Sequence, residues 1–171
     1  MTDIMHRSGK KDKQFLFDVQ LNWLNDNKGI LTTNDVKDTL RVALPQVFDG
    51  EGEQWSPEHL FLSSLSSCFM TTYLVFAKKM QFEISHFDCN IIGQVELVDG
   101  HYEFTTVNIY PKVYIAVEAY RQKAIAALEK TQKYCLVSQS VKSRIIYHGE
   151  ILNEEHIGHQ HALENAVISK T

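Results

Sequence analysis

Near the N-terminus, Phe15, Phe17, Val19, Leu21 and Trp23 alternate with Leu16, Asp18, Gln20 and Asn22. A period of two puts successive side chains on opposite faces, so this stretch predicts a strand with one buried face. The cluster Asn25-Asp26-Asn27-Lys28-Gly29 then marks a turn, because Asn, Asp and Gly tolerate the backbone angles a turn demands. Gly29 to Thr33 and Thr39 to Leu44 follow as two further short strands, completing a meander. Pro45 and Asp49-Gly50-Glu51-Gly52 break the pattern. Ser56-Pro57-Glu58 opens a helix: a hydroxyl at the cap, proline at the first position, and a carboxylate beside the positive end of the dipole. Lys78 and Lys79 suit its negative end, near Met80.

Two long apolar-rich segments, Phe87 to Val98 and Tyr102 to Tyr114, meet at Asp99-Gly100, a dipeptide that favours the tight turn of a hairpin. Val117 to Tyr134 carries Tyr120, Ala124, Ala127, Leu128 and Thr131 with charges between them, the spacing of an amphipathic helix. Ser138 is placed to cap a short helical turn, Arg144 to Tyr147 reads as a last strand, and the chain from Asn153 onward is polar. The predicted order β-β-β-α-β-β-α-β is that of an α+β domain with mostly antiparallel strands.

The chain has 171 residues, within the usual size of one domain. A single domain over 1–171 is expected, with 1–13 and 153–171 as peripheral tails. The net charge of -4 leaves no basic excess, and no stretch interleaves Lys or Arg with aromatics, so nucleic acid is not an expected partner. Residues 1–14 show no apolar run behind their basic residues, unlike a secretory signal. Three cysteines are too few for a disulfide scaffold and odd in number, which favours the cytoplasm. Leu60 to Ala77 carries no charge and approaches the length of a bilayer span. Ser63, Ser64, Ser66, Ser67, Thr71 and Thr72 polarise it, so a buried core helix is expected rather than a membrane segment.

Cys68 falls near the middle of the first helix, one turn from Ser64, Leu65, Thr71 and Thr72, and Cys135 falls at the end of the second. Each alone reads equally as a small buried hydrophobe, the commonest role of free cysteine. Their company points further. Ser56-Pro57-Glu58-His59-Leu60-Phe61, followed by small residues and Cys68-Phe69, resembles the first-helix motif of the OsmC/Ohr family, the osmotically inducible and organic hydroperoxide resistance proteins. Cys135-Leu136-Val137-Ser138 is similar to that family's Cys-Pro-Val-Ser signature. The resemblance runs over about Phe15 to Ile151.

The resemblance implies an intertwined homodimer whose antiparallel sheets wrap two central cysteine-bearing helices. It implies a thiol peroxidase, with Cys68 as the thiolate that attacks an organic hydroperoxide and Cys135 as the resolving thiol. Reduction by a dithiol of the lipoyl type would follow, and no metal, flavin or nucleotide cofactor would be needed. Glu58 and Cys68 lie ten residues apart in one helix, about 15 Å along its axis. If Glu58 serves a cysteine site, that cysteine belongs to the partner subunit; otherwise Glu58 is a plain helix N-terminal carboxylate.

The resemblance departs at two positions. Peroxidase-active relatives carry an arginine in the first turn, which lowers the thiol pKa; here that turn offers Lys28, which lacks the planar fork of a guanidinium. Arg41, in a later strand, is the other candidate. Leu136 replaces the signature proline. Without an activating cation, the Cys68 thiol is expected near the free value of about 8.5.

His156, His159 and His161 form an HxxHxH pattern in the tail, whose spacing could gather imidazoles on a metal or mean nothing in an exposed segment. Cys89 reads as structural, and His59 as a solvated helix start. Three functional classes remain: a hydroperoxide reductase, an OsmC-like redox sensor or small-ligand binder, and a cysteine hydrolase. The last needs a histidine base beside Cys68, and no histidine has a claim to that place.

Overall fold

The computed structural model describes residues 14–156. The chain divides into two compact units, Met1–Pro57 and Glu58–Thr171.

The first unit is an antiparallel meander of β1 (Gln20–Asn25), β2 (Lys28–Thr33) and β3 (Val36–Ala43), in that spatial order. Asp26 adopts φ 45° at the first turn, and the Trp23 indole N–H donates to its carbonyl at 3.0 Å. Gly29 is required where β2 passes β1: a β-carbon there would stand 2.8 Å from Leu21 Cδ1 and 3.2 Å from the Asn22 carbonyl oxygen. The Ala43 N–H donates to the Trp55 carbonyl at 2.9 Å, which ties the following loop back to β3. The predicted strand from Phe15 begins only at Gln20. Its expected buried face is not formed: Phe15, Phe17, Leu21 and Trp23 are all exposed, Trp23 by 74%. Three strands in one layer have no second layer of their own to cover them.

The second unit is built on a long hairpin of β4 (His86–Val98) and β5 (His101–Ile115), paired from His86 with Tyr114 to Val98 with His101. Asp99 and Gly100 at the turn have φ 49° and 84°. Positive φ at both central residues matches the right-handed twist of the strands they join. A register shift between Gln94 and Val95 marks a bulge. Two short strands, β6 (Arg144–Tyr147) and β7 (Glu150–Asn153), both pair with β5 in parallel. The sheet is thus mixed at that edge, within an arrangement the sequence led one to expect as mostly antiparallel.

The helices supply the other layer. In α1 (Pro57–Lys79), Leu65, Phe69, Tyr73 and Ala77 recur every four residues and are buried, the stripe that one helix face presents to a core. They meet Val107, Ile109, Val113 and Ile115 from alternate positions of β5, and Ala124, Ala127 and Leu128 from α2 (Arg121–Tyr134). The Tyr73 hydroxyl donates to the Ala124 carbonyl at 3.3 Å, joining the two helices.

Four expectations are corrected here. Val117 to Tyr134 is not one helix but a 3-10 turn, Glu118–Tyr120, running into α2. Ser138 does not cap the following turn; it lies within α3 (Leu136–Gln139), and Cys135 takes the cap position. Strand β7 reaches Asn153, whose side chain accepts from Arg121 at 2.9 Å, so the segment taken as a polar tail starts inside the sheet. Burial of α1 is confined to one stripe, since Met70, Leu74 and Val75 are exposed. Among the described residues, α1 is the one helix long and apolar enough, by length and composition, to cross a membrane.

Leu65 is fully buried, so Leu65→Ala is expected to lower stability by about 2–5 kcal/mol. Denaturant unfolding measures it, and a loss below about 1 kcal/mol contradicts this assignment of the core.

Candidate active site

Cys68 lies on α1 beside the buried Phe69, and Cys135 lies where α2 gives way to α3. Cys135 leaves the helix with φ -65° and ψ 113°, while its N–H still donates to the Thr131 carbonyl at 2.9 Å. That bend points the side chain back at α1. The Cys135 thiol donates to Cys68 Sγ at 3.1 Å. A covalent disulfide would require about 2.05 Å, so both thiols are free.

Their surroundings make them unequal. Burial pushes the Cys68 thiol up, but it is outweighed by the Val137 N–H, the Cys135 thiol, the Thr72 hydroxyl and the Leu136 N–H, which hold Cys68 below its ordinary range. The Val137 N–H stands 3.5 Å from Cys68 Sγ, and Thr72 Oγ1 stands 3.9 Å from it, one turn further along α1. Cys135 is driven the other way: burial raises it, Ser138 lowers it through its hydroxyl and N–H, and the neighbouring Cys68 raises it again. Negative charge therefore settles on Cys68 first. The missing arginine was expected to leave Cys68 near the free value; backbone and side-chain donors lower it instead.

Leu136 has a part in this. Proline at that position would carry no N–H, whereas Leu136 adds a donor to the set that favours the Cys68 thiolate.

The remaining predicted residues are dispersed. Glu58 sits in the first turn of α1, and its Oε2 is buried without a hydrogen-bond partner among the described residues. It is about 15 Å from Cys68 along the axis, so the chain does not bring these two together. Lys28 is paired with Glu51 and Arg41 is exposed on β3, both within the first unit. Cys89, on β4, packs against the cluster of Leu65, Val107 and Ile109, and burial pushes its thiol up to about 11. His59 is exposed. Among the described residues no cluster of His, Cys, Asp and Glu suits a metal. His159 and His161 lie outside the described residues, and His156 is the last of them.

Sequence reasoning missed the donors from α3, and it missed Tyr147, whose phenol is perturbed by Ser138, Cys135 and Cys68. No local pattern could show this, because Tyr147 reaches the site through the parallel pairing of β6 with β5.

A family model described as OsmC-like protein matches residues 50–147. The uncharacterized protein YmaD of Bacillus subtilis (strain 168) is 18% identical over 132 residues, 75% of this chain and 88% of that protein. An OsmC-like protein of unknown function from Vibrio cholerae superposes with a TM-score of 0.72 at 15% identity, over 80% of this chain and 99% of the other. An organic hydroperoxide resistance protein from Elizabethkingia anophelis gives 0.66 at 14% identity, over 84% and 99%. These structural likenesses establish the fold. The family match spans more than half of the chain, both motif cysteines included, and the chain belongs to the OsmC-like family.

Cys135 has the extended ψ that a residue before proline requires, and proline is tolerated at a first helical position. Leu136→Pro should therefore fold while removing one donor to Cys68. Its alkylation by iodoacetamide at pH 7 should slow by roughly twofold to tenfold, the effect of up to one pKa unit. Peptide mapping measures this, and an unchanged rate shows that the Leu136 N–H has no hold on the thiolate.

Proposed function

We propose that this protein is a homodimeric, thiol-dependent reductase of organic hydroperoxides. The observation that supports this reading best is the pair of free thiols 3.1 Å apart, with Cys68 held down and Cys135 held up in pKa. A thiolate is the nucleophile in such chemistry, and a second thiol already in contact makes the next step intramolecular.

The Cys68 thiolate attacks one oxygen of the hydroperoxide, the O–O bond breaks, and the alkoxide takes up a proton and leaves as the alcohol. Cys68 is oxidised to a sulfenic acid. Cys135 then attacks that sulfur; hydroxide departs and combines with the proton lost by Cys135 as water, leaving a disulfide. The sulfurs must close by about 1 Å to reach bonding distance. A dithiol of the lipoyl type reduces the disulfide by exchange. This sequence needs no metal or other cofactor, and it suits a reducing compartment such as the cytoplasm.

Exposed apolar side chains support the dimer. Met70, Leu74 and Val75 are exposed on α1, as are Leu21 and Trp23 on β1, and large apolar surfaces of this kind mark interfaces. Glu58 then serves the cysteine pair of the opposite subunit, where its unpartnered oxygen finds a cation or a proton. Lys28 and Arg41 are the candidate cations for that role. A second reading, a redox sensor or small-ligand binder of the same family, is favoured by the engagement of Lys28 with Glu51. A hydrolase is disfavoured, since among the described residues the groups found to act on Cys68 are thiol, hydroxyl and backbone N–H rather than a histidine.

Reduced protein given one equivalent of an organic hydroperoxide is expected to lose two thiols, mapped by intact mass and peptide analysis to Cys68 and Cys135. Cys68→Ser should abolish consumption, and Cys135→Ser should allow one turnover and trap the sulfenic acid. Undiminished thiols in the wild-type protein rule out the reductase and favour the small-ligand binder.

A further inference from the structure

Cys68, Thr72, Phe76 and Lys79 follow one another at turn spacing along one side of α1. Lys133, Tyr134 and Cys135 close α2, and the two rows are joined ring to ring: the Phe76 and Tyr134 centroids are 5.8 Å apart, at an interplanar angle of 44°. The strip starts at the cysteine pair, where Thr72 Oγ1 stands 3.9 Å from Cys68 Sγ, and passes onto two aromatic rings. Phe76 is half-buried against the same core cluster as Cys68, whereas Tyr134 is 58% exposed.

The far end is cationic. Lys79 Nζ lies 5.7 Å from the centroid of the Phe76 ring, and Lys133 Nζ lies 5.4 Å from that of Tyr134, within the range over which a ring face attracts an ammonium group. Helix dipoles favour a cation at each of these positions, yet here two like charges are gathered over a single ring pair. Among the described residues no carboxylate forms an ion pair with either of them, whereas Lys28 is paired with Glu51, Lys142 with Glu103 and Arg121 with Glu118. A ring face neutralises no charge, so both ammonium groups keep their attraction for an anion. The rings give an apolar path from them toward the thiols.

We propose that Lys79 and Lys133 form a carboxylate subsite beside the cysteine pair, which holds an aliphatic chain by its charged end and lays its apolar body over Phe76 and Tyr134 toward Cys68. Lys79 is eleven residues beyond Cys68 in α1, about 16 Å along the helix axis. An extended chain advances about 1.2 Å per bond, so roughly a dozen bonds separate the carboxylate from the atom that meets the sulfur. The subsite stands without the reductase reading; its part in turnover rests on that reading. In turnover two ligands answer the description, a hydroperoxide and a reducing dithiol that each carry a terminal carboxylate, and kinetics separate them.

Dodecanoate and its uncharged amide, kept below micelle-forming concentration, are unreactive probes, and calorimetry on the reduced full-length chain measures their binding with no hydroperoxide present. Wild-type protein should bind the carboxylate about threefold to tenfold more tightly than the amide, the effect of two exposed ion pairs. Bound dodecanoate should slow alkylation of Cys68 by iodoacetamide, while butanoate, too short to reach the sulfur, should not. Lys79→Gln combined with Lys133→Gln should erase the preference for the carboxylate; both side chains are exposed, so the fold tolerates the change. Lys142→Gln, which removes a cation elsewhere, should keep it. Equal affinity for the two probes in wild-type protein, or a preference that survives the double substitution, overturns the proposal. Steady-state rates then assign the natural ligand: a kcat/KM that favours carboxylate-bearing over neutral hydroperoxides, with the bias lost in the double variant, identifies the oxidant, and the same bias among dithiols identifies the reductant. Absence of turnover with the binding preference intact removes the reductase reading and leaves the subsite standing.

Discussion

The proposed chemistry depends on one close approach: the middle of α1 against the bend between α2 and α3, which sets Cys135 Sγ 3.1 Å from Cys68 Sγ. Two ordinary features of the chain produce it. The four-residue stripe Leu65, Phe69, Tyr73, Ala77 fixes the rotation of α1 against β5 and α2. The break of α2 at Cys135 then swings a side chain out of helical direction and opens α3 with its N–H groups toward the same sulfur. A buried thiol pair without such donors would have both members pushed up in pKa and inert. Here the donors converge on one member only.

In the proposed reductase, that asymmetry does the work of the absent first-turn guanidinium. A cation lowers a thiol pKa by long-range charge; here the work is divided among the Val137 and Leu136 N–H groups, the Thr72 hydroxyl and the Cys135 thiol itself. Each is a short-range dipole, so the effect depends on the packing of α1 against α3 rather than on a mobile side chain. Replacement of the signature proline by leucine fits this arrangement, since it adds a donor where a proline has none.

Much of the fold was legible in the sequence because its signals are local. The hairpin over Asp99-Gly100, the start of α1 at Ser56-Pro57-Glu58 and the helical stripe of α2 are each written within a few residues. The cysteine pair was legible through its two motifs, although neither cysteine could be distinguished from a core residue alone. What could not be read is long-range. Strand β7 is too short and too plain to stand out, and it forms because β5 offers an open edge. The exposed face of β1 and the bare side of α1 show the converse: apolar alternation states that a surface needs covering without saying by what. Tyr147 joins the site only through register with Ile109, and its sequence neighbours give no hint of it.

The central claim is that the structure ionises Cys68 before Cys135. The most direct measurement is a pH titration of the reduced wild-type protein with 13C-labelled cysteine β-carbons, followed by NMR and assigned with single Cys→Ser variants. The account predicts that Cys68 titrates first, below the ordinary thiol range, with Cys135 above that range and Cys89 near 11. A first transition assigned to Cys135, or Cys68 and Cys135 titrating together at the free value, would contradict it.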